Sequence, residues 1–137
     1  MTHPWLAPYT WPMVVEINRL LCVPKGAAHG PTSDGYEETQ ELWEGSHPRG
    51  MTLVEACDLC RRCHRLAPFL NYNGNTFVAV IRQVLSGLSL PPKEAALARS
   101  FAGHIVAGTA DPKEEADFQR LVQHLTAEPN HGSDPTL

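Results

Sequence analysis

The chain has 137 residues, of which 42% are hydrophobic and 19% charged, with a formal net charge of −4. A chain of this length can bury a core of its own, so folding requires neither a disulfide framework nor a structural metal. The acidic balance excludes a general polyanion partner, because affinity for phosphate backbones comes from clustered Lys and Arg.

The opening stretch, MTHPWLAPYTWPMVVEINRLL, has no basic leader followed by an apolar run, and reads as no secretory signal. No window has the apolar length of a membrane span. A cytoplasmic protein with reduced thiols is therefore expected, which makes its cysteines metal-binding, reactive or buried instead of paired. Trp5, Tyr9 and Trp11 are expected to pack on the body of the protein.

Helix signals recur along the chain and strand signals do not. TWPMVVEINRLLC offers Thr10 as N-cap and Pro12 in the first turn, with Val14, Ile17, Leu20 and Leu21 at helical spacing. Residues 23–35, VPKGAAHGPTSDG, form a Gly/Pro-rich loop. YEETQELWEG predicts a short helix ended by Gly45, and SHPRG a second loop.

MTLVEACDLCRRCHRLAP carries the clearest helix signals: Thr52 and Glu55 make a capping box, and Pro68 stops the run. In LNYNGNT, residues 70–76, Asn73 and Gly74 are read as a turn, with Asn75 or Thr76 capping the next helix. That helix places Phe77, Val80, Ile81, Val84 and Leu85 on one face until Gly87. LPPKEAALARSFAGHIVAG predicts a helix that ends at Gly108, with His104 as a core histidine. ADPKEEADFQRLVQHL has Asp111 as cap, and His124 near its C-terminus is favoured by the helix dipole. The expected fold is all-α: a single-domain bundle of five to six helices over residues 1–126, with 127–137 as a flexible C-terminal tail.

Three of the four cysteines fall in one stretch of this pattern. On a helical projection Leu53, Ala56, Cys57, Cys60, Cys63, His64 and Ala67 share an arc of roughly 120°. Glu55, Asp58 and the basic cluster Arg61, Arg62 and Arg65 lie opposite, as a solvated face. The thiols thus occupy the positions of a core stripe, yet three cysteines followed by histidine are an unusual way to fill one. Neighbouring pairs on the helix have Cβ atoms about 5–6 Å apart, and each pair can share a metal. Cys57 and Cys63 are separated by an axial rise of about 9 Å, so one ion takes all three only if the backbone leaves the helix.

The expected metal ligands are Cys57, Cys60, Cys63 and His64, with Cys22 as the distant sulfur and His29 or His47 within reach on loops. Zinc suits a mixed sulfur and nitrogen set, and copper(I) suits thiolate pairs. The order CxxCxxCxxxAP, from Cys57 to Pro68, resembles the bacterial ferredoxin cluster run, with Ala67 where that family has its fourth cysteine. That resemblance covers about a dozen residues and implies an iron–sulfur cluster.

Two C-x-x-C pairs beside arginines also fit thiol redox chemistry, and CRRCH, residues 60–64, fits a c-type haem attachment. The remaining alternative is inert packing, since free cysteine is among the most buried residue types. No nucleophile elbow, phosphate-cradling loop or H-E-x-x-H nominates an enzyme. The expected function is a small metal- or cluster-binding accessory or sensor protein with a protein partner and no membrane or nucleic-acid role. A metal-free interaction module with structural cysteines, or a thiol-redox protein, are the alternatives.

Overall fold

A computed structural model describes residues 2–126; the expected tail at 127–137 and the side chain of His124 lie outside the described residues. Six helices follow in order: α1 (Trp11–Cys22), α2 (Tyr36–Ser46), α3 (Leu53–Leu66), α4 (Asn73–Ser86), α5 (Pro92–Ala107) and α6 (Pro112–Thr126). A short 3-10 turn at Val23–Lys25 extends α1 into the Gly/Pro-rich loop. The fold is all-α, and no helix among the described residues is long and apolar enough to cross a membrane.

Local chemistry sets the helix ends. Pro12, Pro92 and Pro112 stand in first turns, where a missing N–H costs nothing. At α6 the Asp111 carboxylate accepts from the Glu114 N–H at 2.7 Å, while Glu114 accepts back from the Asp111 N–H. Gly108 closes α5 at φ 79°, a left-handed conformation that favours glycine. Helix α4 starts earlier than its sequence suggests. Asn73 and Gly74 are inside its first turn because the Asn73 amide brackets the Phe69 backbone, accepting from N–H and donating to C=O at 2.8 Å each.

Helix α4 packs against α1, α3 and α5, while α3 also meets α2, α5 and α6. Their shared core holds Trp43, Phe69, Phe77, Phe118, Leu6 and Leu53, all fully buried. Phe69 stacks on Trp11 and Phe77, so the connection before α4 is anchored by aromatic contact. Two isolated bridges, His3 with Met51 and Pro31 with Phe69, tie the N-terminal segment and the long loop to the helical body.

Two helix faces differ from their sequence reading. On α1, Leu20 points outward at 57% exposure, whereas Asn18 is buried. Asn18 is accommodated because its Nδ2 donates to Asn71 O at 2.8 Å and to Thr76 Oγ1 at 3.0 Å, satisfying an amide that would otherwise be costly to bury. On α5, His104 is exposed and bonded to Glu114 at 2.8 Å, not a core residue.

Candidate functional site

The site begins with the backbone of α3. Thr52 Oγ1 accepts from the Glu55 N–H at 3.0 Å and Glu55 Oε1 accepts from the Thr52 N–H at 2.9 Å, the reciprocal pair expected from sequence. At the other end Ala67 turns left-handed at φ 50° and its N–H bonds back to His64 O. The helix is therefore unbroken from Leu53 to Leu66 and carries Cys57, Cys60 and Cys63 on regular turns. An unbroken helix sets the backbone positions of Cys57 and Cys63 about 9 Å apart along its axis, a separation their side chains do not comfortably bridge to one zinc.

All three thiols have zero exposure and belong to the contiguous hydrophobic core, with Leu59 buried beside them. Burial raises the Cys57 pKa, and the neighbouring Asp58 carboxylate raises it further. Burial pushes Cys60 well above the usual thiol value, helped by the flanking Cys57 and Cys63. Cys63 is pushed up to about 12 by burial, against a smaller opposing pull from Arg62. Burial thus disfavours the free thiolate that thiol exchange uses, whereas a bound metal would itself displace the thiol proton.

Cys22 is buried elsewhere. It lies outside the contiguous core that holds the other three, and its S–H donates to Asn18 Oδ1 at 3.6 Å. Asn18 in turn reaches the Asn71 carbonyl and the Thr76 hydroxyl, which donates to Tyr72 O at 2.7 Å. Cys22 thus ends a polar chain that staples α1 to the start of α4.

His64 is half-buried against a third element. Its Nδ1 lies 3.1 Å from Val106 O, and since a carbonyl only accepts, Nδ1 carries the proton. A Cβ at Gly74 would come within 3.1 Å of the His64 ring, so glycine there lets the imidazole rest on the α4 backbone. His64 therefore bridges the start of α4 and the end of α5. His29 is exposed on its loop, and His47 is occupied with Leu6 O at 3.1 Å and stacked on Trp43.

The structure brings Cys57, Cys60 and Cys63 together along one helix face and places Cys22 and His64 in separate hydrogen-bonded settings. Among the described residues, no group of three or more His, Cys, Asp or Glu side chains is placed to hold a metal ion. A second feature escaped the sequence reading. Helices α4 and α5 leave an open groove between them, lined in part by Arg82, Arg99, Ser100, Gly103 and His104. Its arginines are far apart in sequence and meet only because α4 and α5 pack together, so no local motif announces them. Comparison with known proteins gives no match to a family model, a curated protein or a solved structure.

Proposed function

We propose that the protein is a metal-free helical interaction module whose cysteines serve packing and helix stapling. The observation that carries this reading is the burial of Cys57, Cys60 and Cys63 at zero exposure within the hydrophobic core. A neutral thiol in such a place behaves as a small hydrophobe. The engagement of the Cys22 thiol with Asn18 supports the same reading, because that sulfur already has a fold-holding partner apart from the other three. Function then rests on the outer surfaces that the helices present.

Metal analysis of protein purified anaerobically without an affinity tag tests this reading. Substoichiometric zinc, copper and iron are expected. Cys60→Ala is expected to keep the fold at a cost of about 1–2 kcal/mol, the scale of a small core deletion. Stoichiometric metal in the parent protein, lost in Cys60→Ala, would overturn it in favour of a metal or iron–sulfur site on the cysteine stripe.

A further inference from the structure

We infer that the groove between α4 and α5 is a docking site for an acidic segment of a protein partner, whose carboxylates pair with Arg82 and Arg99. This deepens the interaction-module reading and rests on it. Five residues separate Ser86 from Pro92, so the two helices form an antiparallel hairpin. The His64 contacts agree, joining Gly74 at the start of α4 to Val106 at the end of α5.

The α5 wall of the groove presents Ala96, Ser100, Gly103 and Ala107, spaced so that they share one helix face. Small side chains along that line keep the groove open and let a partner backbone approach. Arg82 crosses from α4 toward this floor: a Cβ added at Gly103 would lie 3.4 Å from its Nη2. Gly103 thus leaves room for the guanidinium to lie against α5. Arg99 lines the same groove from α5.

Charge decides what fits. In a chain of net charge −4, Arg19, Arg61 and Arg120 each pair with an acid one helical turn away. Arg82 and Arg99, like Arg49, Arg62 and Arg65, have no carboxylate within ion-pair distance among the described residues, but only these two line one groove together. No Asp or Glu is among the residues lining the groove, and Glu114, which meets the lining residue His104, is bonded to it at 2.8 Å. Two open guanidinium forks in one groove suit carboxylates, which they bind bidentately. The length favours a chain segment over a single small anion. From Ala96 to Ala107 the groove runs about 16 Å, the span of some five extended residues.

The test is a titration of isotopically labelled protein at low salt with a capped hexaglutamate peptide, followed by amide NMR. Capped hexaglutamine and inorganic phosphate are run alongside. Shifts are expected to concentrate at residues 74–82 and 96–107, to fade with added salt, and to be weak with hexaglutamine. The double variant Arg82→Gln/Arg99→Gln should weaken binding about tenfold or more, as loss of complementary charge does. Gly103→Leu should weaken it with no change in net charge, by filling the groove and pushing the Arg82 guanidinium off α5. Arg61→Gln/Arg62→Gln should leave it unchanged.

Shifts centred on Arg61 and Arg62, or undiminished binding by the Arg82/Arg99 variant, would overturn the proposal. So would groove shifts with phosphate but none with hexaglutamate, which would mark a small-anion site. Metal found in the protein would count against the core-thiol reading while leaving the groove result intact, so the two can fail separately.

Discussion

Each buried thiol of α3 makes stability depend on pH. Cys63, for example, moves from an ordinary value of 9.0 in the unfolded chain to about 12 in the fold. Above the lower value the unfolded chain binds fewer protons than the native one, so stability falls as pH rises. The contribution is complete below about pH 9 and is lost progressively toward the folded-state value, at about 1.4 kcal/mol per thiol per pH unit. Urea midpoints from about pH 8 to about pH 10 should therefore drop steeply. A variant carrying Cys57→Ala, Cys60→Ala and Cys63→Ala should start less stable but show a flatter profile over the same interval. Equal slopes in parent and variant would mean that the thiols ionise freely in the fold.

At the scale of elements, the start of α2 sits close against the end of α3. Gly35 precedes α2 at an ordinary φ of −110°, so its backbone angle does not demand glycine. Space does: a Cβ there would lie 1.9 Å from Leu66 O, inside contact distance of the α3 backbone. Gly35→Ala must displace one helix from the other and is expected to destabilise the protein by about 3 kcal/mol or more, measured by chemical denaturation. A change within about 0.5 kcal/mol, the usual range for surface substitutions, would contradict this junction.

Helix ends were the most legible part of the sequence, because caps and first-turn prolines act over three or four residues. The Thr52–Glu55 box, the Asp111 cap and the Gly108 stop all stand where sequence placed them. The apolar stripe of α4 was legible too, with Phe77, Val80, Ile81, Val84 and Leu85 all buried. Less legible was anything decided by a distant partner. Asn18 is buried because Asn71 and Thr76 await it, and His104 is exposed because Glu114 draws it outward. Gly35 looked like loop composition, while its necessity comes from Leu66, far along the chain. The candidate site divides the same way. Periodicity put Cys57, Cys60 and Cys63 on one inward face, but whether Cys22 joined them depended on how α1 packs.

Across the whole molecule, a metal protein and a packed bundle differ in what holds the helices together. Here the aromatic core around Trp43, Phe69 and Phe77, the Asn18 staple and the His64 bridge link elements from α1 to α5. A metal that binds the native state adds its binding free energy to stability, so chelation would lower the melting temperature and the lost ion would restore it. The most direct measurement is thermal unfolding of tag-free protein with a strong chelator, without it, and with added zinc, copper(I) or ferrous iron. The packed-core account predicts one melting temperature under all of these conditions. A fall of several degrees on chelation, reversed by one of the metals, would contradict it.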